Sequence, residues 1–307
     1  MTSDWRTLGP QALEAQFNPR VTVADAAEWI DAFARAGESA RAAVGAGEAL
    51  RYGEAAEAWL SLYRPSAPSP TPTPLVLAIH GGYWRALSRE YMDFLVPPLL
   101  QAGIAVATVD YTLCPAAPLD TLVDQMRAAT RWLSERAPRY GIDAQRLWLL
   151  GHSAGAHLAA KVLYDDARVL HGDAGSEGEA SAVRGAVLIS GLYDLEPVVR
   201  VSVNAAIGLD EAGARRNSVR VGPTTKRALT QLVAVGDQET PMWIEQSRSL
   251  HKQALAAGVD SHWLSLPGHH FSCLMSLNDP MHGFTRAVIG AVLEDRYSGG
   301  ERGGARG

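Results

Sequence analysis

A chain of 307 residues is within the range that an α/β fold closes around one core, and 47% hydrophobic with 20% charged residues suits a globular protein, not a disordered chain or a disulfide scaffold. A net charge of −5, from 28 basic and 33 acidic residues, offers no basic surface to nucleic acid or anionic membrane. Cys114 and Cys273 form no CxxC pair, the start Met1-Thr2-Ser3-Asp4-Trp5 has no apolar h-region behind a basic one, and no apolar run reaches the roughly 18 residues of a membrane span, so a cytoplasmic protein is expected.

In chain order, Asn18-Pro19 marks a turn, and Val23 to Ala43 repeats apolar residues at helical spacing (Ala27, Ile30, Ala34). The first 47 residues are therefore expected to be an N-terminal helical arm. Ala58 to Tyr63 reads as a strand, and the Pro-rich Arg64 to Pro74 as a stiff surface loop joining it to a neighbouring strand, with no domain boundary. Leu75–Ile79, Ile104–Val109, Leu147–Leu150, Ala186–Ile189 and Leu232–Val235 are uninterrupted apolar runs, as strands buried on both faces should be. Between them lie helical periodicities, clearest in Leu119, Leu122, Val123, Met126, Ala129, Trp132 and Leu133. Strands alternating with helices predict an α/β class: a mostly parallel central sheet covered by helices on both faces, in a single domain over residues 1–297. Residues 195–222 read as a small irregular and helical cap, and 298–307 as a disordered Gly/Arg tail.

In such sheets chemistry gathers at the carboxyl ends of the strands. Leu147-Trp148-Leu149-Leu150 runs into Gly151-His152-Ser153-Ala154-Gly155 and then an Ala-rich helical stretch, which is G-x-S-x-G in the strand-turn-helix context of a nucleophile elbow. Ser153 is the expected nucleophile. The run ending at Ile79 leads into His80-Gly81-Gly82-Tyr83-Trp84, an HGGG-type loop whose third glycine position is Tyr83; the backbone N–H groups of Gly82, Tyr83 and Ala154 are the expected oxyanion donors. His80 precedes that loop and is expected to anchor it. Tyr83 and Trp84 flank the proposed hole and are candidates to stack on an aryl ring, with packing as the equal alternative.

A serine hydroxyl needs an imidazole to take its proton and an acid to orient the imidazole. Of the nine histidines, His152 and His157 belong to the elbow and its helix, and His171 to a polar insert. The final strand, Ser261 to Leu266, is followed by Pro267-Gly268-His269-His270-Phe271, so the base is His269 or His270. Leu232-Val233-Ala234-Val235 leads into Gly236-Asp237-Gln238-Glu239-Thr240-Pro241, where Thr240 and Pro241 suit a helix N-cap and first turn; spacing leaves both Asp237 and Glu239 open, with Asp194 a third candidate acid.

His80-Gly81-Gly82-Tyr83-Trp84, Gly151 to His157 and Ser190-Gly191-Leu192-Tyr193-Asp194-Leu195 resemble the kynurenine formamidase (arylformamidase) branch of the α/β-hydrolases. Phe17-Asn18-Pro19-Arg20, Ser202-Val203-Asn204 and Gln246-Ser247 extend the likeness over nearly the whole chain except the tail. The resemblance implies Glu239 as the acid, where many relatives carry Asp, and His270, the histidine directly before Phe, as the base. It also implies metal-independent hydrolysis of N-formyl or short N-acyl arylamines, typically N-formyl-kynurenine to kynurenine and formate, a step of tryptophan catabolism. No cofactor is expected, since the chain lacks a dinucleotide or phosphate loop, HExxH and zinc-type Cys/His spacing. The expected partner is a small aromatic amide or ester, with a second copy of the chain left open. Three alternatives remain: a short-chain carboxylesterase or arylacylamidase with the same triad, a catalytically silent hydrolase-fold binding protein, and a metal-dependent amidohydrolase.

Overall fold

The computed structural model describes residues 4–66, 71–165, 183–222 and 229–294; the expected tail and the insert around His171 lie outside them. Eight strands form one sheet: β1 (Glu48–Arg51), β2 (Trp59–Tyr63), β3 (Thr73–Ile79), β4 (Ala105–Val109), β5 (Ile142–His152), β6 (Val183–Ile189), β7 (Thr230–Gly236) and β8 (Asp260–Leu266), in the order β1-β2-β4-β3-β5-β6-β7-β8. Every pair from β4 to β8 is parallel, whereas β1 on β2 and β2 on β4 are antiparallel. The Pro-rich segment therefore does not join neighbouring strands, as expected from sequence, because β4 lies between β2 and β3. Its last residues, Thr73 and Pro74, already belong to β3, where a proline at a strand start leaves few ladder bonds unmade.

The apolar runs become strands because successive side chains point to opposite faces and both faces are covered. Leu75, Leu77, Ile79, Leu147 and Leu149 pack under α5 (Leu119–Arg136), α6 (Ala154–Asp165) and α9 (Pro241–Ala256). On the other face Val76, Ala78, Trp148, Leu150 and Val187 meet Phe33 of α3 (Ala26–Val44), Val96 and Leu99 of α4 (Val96–Gln101), and Val288 and Ala291 of α11 (Gly283–Glu294). This is the α/β-hydrolase fold.

Two further helices, α1 (Pro10–Phe17) and α2 (Pro19–Thr22), precede α3 and complete the arm. Asn18 ends the first and caps the second, its side chain accepting from the Arg20 amide at 3.2 Å. Residues 195–222, the segment read as a cap, hold α7 (Asn204–Ile207) and α8 (Glu211–Asn217), and are tied to the N-terminal helices by Glu14, whose carboxylate accepts from the Ser202 amide at 2.7 Å and the Ser202 hydroxyl at 2.6 Å. A last short helix, α10 (Ser272–Met275), follows the loop after β8. Among the described residues no helix is long and apolar enough to cross a membrane.

Candidate active site

β5 ends at His152 and α6 starts at Ala154, so Ser153 alone makes the turn, at φ +56°. A non-glycine residue held there costs about 1–3 kcal/mol, which the surrounding packing must offset. The flanking glycines permit it: a Cβ on Gly151 would strike the Gly155 carbonyl, and one on Gly155 would strike the Ile79 carbonyl at the end of β3. Ser153 N–H donates to the Ile189 carbonyl at the end of β6 (2.9 Å), which pins the turn to the neighbouring strand.

The loops after β7 and β8 meet beside this turn. His270 Nδ1 lies 2.8 Å from Glu239 Oε2, with both residues buried. The other carboxylate oxygen, Oε1, accepts from the Gly236 amide at 2.8 Å and the Ser190 hydroxyl at 2.5 Å, so Glu239 is fixed by three donors. With Nδ1 donating to the carboxylate, Nε2 is the ring nitrogen left to accept a proton. Trp243 packs edge-on against the His270 ring at 4.6 Å and donates its indole N–H to the Ser190 carbonyl at 2.8 Å. Thr240 stands at the N-cap of α9 as expected, but its hydroxyl donates across to the Gln16 carbonyl of the arm (2.7 Å) instead of capping its own helix.

The competing candidates are engaged elsewhere. Asp237, exposed, accepts from the Gly268 amide at 2.9 Å and braces the base loop without touching His270. Asp194 accepts from the Glu196 amide at 3.1 Å. His269 packs on Trp29 (5.2 Å) and its Nδ1 accepts from the amides of Phe271 and Ser272. His80 donates Nδ1–H to the Gly81 carbonyl (2.8 Å) and stacks on Tyr111 at 4.2 Å; burial pushes its pKa down to about 4, so it stays neutral. His152 donates to the His270 carbonyl at 2.8 Å, and burial, reinforced by the neighbouring His270, holds its pKa well below the ordinary value.

The loop after β3 is built on consecutive left-handed residues: Gly82 (φ +98°), Tyr83 (φ +54°) and Trp84 (φ +58°). A Cβ on Gly82 would strike the Ala86 carbonyl, so this turn demands glycine. The amides of Gly82, Tyr83 and Ala154 donate to no acceptor among the described residues, which leaves them available to an anion. Tyr83 lines the cavity beside Ser153, and its hydroxyl reaches the Phe17 carbonyl of the arm at 2.5 Å. Trp84 takes the packing role of the two open to it. It is fully buried, packed against Tyr83 and His157, and lines no part of the cavity; at neighbouring positions of one turn, side chains diverge.

Ser153, His270, Gly82 and Tyr83 share a cavity of about 50 Å³. Of its walls the 195–222 segment supplies only Val203. The arm, from Asn18 to Phe33, and residues between Arg85 and Met92 supply much of the remainder, beside residues of the loops after β3, β5 and β8. Sequence reading also missed Ser190, the hydroxyl donor to Glu239; its signal was its place at the end of a strand, in a turn of φ +51°. Among the described residues no group of three or more His, Cys, Asp or Glu is arranged to hold a metal.

The BD-FAE family profile matches residues 60–253. Kynurenine formamidases from Danio rerio and Salmo salar are each 32% identical to the chain, and each alignment covers 94% of this chain and 98% of the relative. The chain belongs to the kynurenine formamidase family. As a member of that family with an α/β-hydrolase fold, it is a hydrolase. Among solved structures, a thioesterase candidate from Silicibacter sp. superposes with a TM-score of 0.73 at 28% identity, covering 89% of this chain and 97% of that one. Family membership sets the class of chemistry, and the site geometry sets which residues of this chain can perform it.

Proposed function

We propose that the protein hydrolyses N-formyl or short N-acyl arylamines, foremost N-formyl-kynurenine, to the free arylamine and the carboxylic acid. Ser153 Oγ attacks the formyl carbon while His270 Nε2 takes its proton, and Glu239 holds the imidazole in the required tautomer and stabilises the imidazolium. The negative charge that develops on the carbonyl oxygen is met by the amides of Gly82, Tyr83 and Ala154, a preorganised arrangement whose single donors are worth about 3–4 kcal/mol in comparable holes. His270 then returns the proton to the leaving arylamine nitrogen, giving a formyl ester on Ser153. Water deprotonated by His270 attacks that ester, and formate leaves with Ser153 regenerated.

The observation that carries this reading is the 2.8 Å contact of Glu239 with Nδ1 of His270, whose ring shares a cavity with Ser153 on its positive-φ turn. The relatives named kynurenine formamidase support the choice of amide and of a formyl group. Short-chain ester hydrolysis is the second reading, favoured by the hydrocarbon of Ile30, Phe33, Leu87 and Met92 on the walls, which distinguishes poorly between amide and ester substrates. A kcat/KM series over formyl, acetyl, propionyl and butyryl derivatives of one arylamine, with the matching esters, tests the choice. Formyl should be cleaved best, since each methylene that does not fit costs about 1–3 kcal/mol of transition-state binding. Rates rising with acyl length, or activity confined to esters, would leave a carboxylesterase.

A further inference from the structure

The cavity holds a polar group that the hydrolytic steps leave unused. His152, between the elbow glycine and the nucleophile, lines the wall beside Ser153 and His270. Its Nε2–H donates to the His270 carbonyl at 2.8 Å, so Nδ1 is the unprotonated ring nitrogen and carries a free lone pair. That nitrogen has no hydrogen-bond partner among the described residues, and it is not sealed in the core as the unpaired Nδ1 of His157 is. Burial and the neighbouring His270 hold the ring neutral, so Nδ1 remains an acceptor at neutral pH.

Its surroundings fix where this acceptor stands. The His152 ring lies 4.7 Å from the His270 ring, tilted by 45°, and its Nε2 bond ties it to the base loop. The point that a Cβ on Gly81 would occupy lies 3.3 Å from His152 Nδ1 and 3.3 Å from Ser153 Cβ, so acceptor and nucleophile border one small space that the glycine leaves open. The bond being broken must lie beside Ser153 and His270, within that neighbourhood. Amides and esters differ at this bond. When Ser153 has added to an amide, the nitrogen becomes pyramidal and turns its lone pair to His270 Nε2, which leaves its own N–H pointing away from the base. A donor left without a partner there is costly, whereas an ester oxygen carries no hydrogen. An acceptor at that place lowers the barrier for amides alone.

We propose that His152 Nδ1 accepts a hydrogen bond from the scissile N–H at the tetrahedral stage, which makes His152 the residue that favours amides over esters at this triad. No proton changes hands at His152; Nε2 keeps its hydrogen on the His270 carbonyl throughout. The proposal rests on the formamidase reading and adds a residue to it.

The test compares an aryl formamide, its N-methyl counterpart, which lacks the N–H, and the matching aryl ester, in the wild type and in His152→Asn, His152→Gln and His152→Phe. Asparagine carries an oxygen to the depth of Nδ1 but is too short for the His270 carbonyl. Glutamine reaches that carbonyl and carries its oxygen past the place of Nδ1, and phenylalanine keeps the ring without either group. N-methylation should cost about tenfold more in the wild type and His152→Asn than in His152→Gln and His152→Phe, the scale of one hydrogen bond. The loss should fall equally on kcat and kcat/KM, as for an interaction made only in the transition state. The amide-to-ester ratio in kcat should drop about tenfold in His152→Gln and His152→Phe and be kept in His152→Asn. A purely structural role, through the bond to the His270 carbonyl, would slow amide and ester alike and would be rescued by glutamine, not asparagine. Stoichiometric fluorophosphonate labelling of Ser153 confirms that each variant is folded. An N-methylation penalty equal in all four proteins, or an amide-to-ester ratio that none of the substitutions moves, overturns the role of His152 and leaves the formamidase reading standing. Cleavage of the ester with no cleavage of the formamide overturns both.

Discussion

The loops at the carboxyl ends of β3, β5 and β8 and the N-terminal arm meet at one cavity, with the loop after β7 behind His270, but they are specified in different ways. Each strand-end loop is set by short-range constraints: glycines where a Cβ would strike a carbonyl, a serine held at positive φ, a carboxylate bonded to the amide three residues before it. The arm is set by long-range hydrogen bonds, Tyr83 to Phe17, Thr240 to Gln16 and Ser202 to Glu14, with no local pattern of their own. The teaching is a division of labour: the strand ends supply the proposed reacting groups, and the arm supplies part of the cavity wall beside them.

Substitutions on the two sides should therefore differ in kind. At the strand ends the largest effect is expected from Ser153→Ala and His270→Ala, each losing on the order of 10⁶ in kcat, while thermal unfolding of the protein stays cooperative. More than a few per cent of residual activity in either would contradict the triad. Glu239→Gln should cost on the order of 10⁴ in kcat, because the imidazole loses both its orientation and its counter-charge, whereas Asp237→Asn, which only weakens a brace on Gly268, should cost about tenfold or less. The reverse ranking would make Asp237 the acid. Ser190→Ala removes one donor to the Glu239 carboxylate and should lower kcat by about tenfold, the worth of a hydrogen bond to a charged group.

On the arm side, Tyr83→Phe removes the bond to Phe17 and should raise KM several-fold with little change in kcat, and destabilise the fold by about 1 kcal/mol. An equal fall in kcat would mean that the arm positions reacting groups as well as substrate, and the contrast between the regions would fail. A separate expectation concerns pH and stability, not turnover. His80, His152 and His157 are buried and neutral, with pKa values below the ordinary 6.5, to about 4 for His80 and about 3 for His157. As pH falls below 6.5 the unfolded chain binds protons there that the folded one does not, so stability in urea should decline from about pH 6.5 toward pH 4. A flat stability across that window would place these rings in solvent.

Most of the fold was legible because strands buried on both faces leave unbroken apolar runs. Edge strand β1 was not legible: Glu48-Ala49-Leu50-Arg51 is mostly exposed and pairs only with β2, so burial imposes no pattern on it. Within the site, the elbow and the HGGY loop announced themselves through glycines that sterics require. The choice between Asp237 and Glu239 was not readable from spacing, since it depends on how a tight loop turns two acids to opposite sides. Whether Tyr83 and Trp84 face substrate or pack was open for a similar reason, because the turn directs Tyr83 to the cavity and Trp84 into the core. The arm's part in the wall stayed hidden because its anchors are single atoms on distant segments.

The central claim is that Ser153 carries the acyl group during turnover. Rapid quenching of the enzyme with a short-chain aryl ester or amide, followed by peptide mass mapping, reads it directly. The account predicts a burst of arylamine or phenol near one equivalent per site and an acyl adduct on Ser153 that accumulates and decays with turnover; steady product release with no adduct on Ser153, or an adduct on another residue, would contradict it.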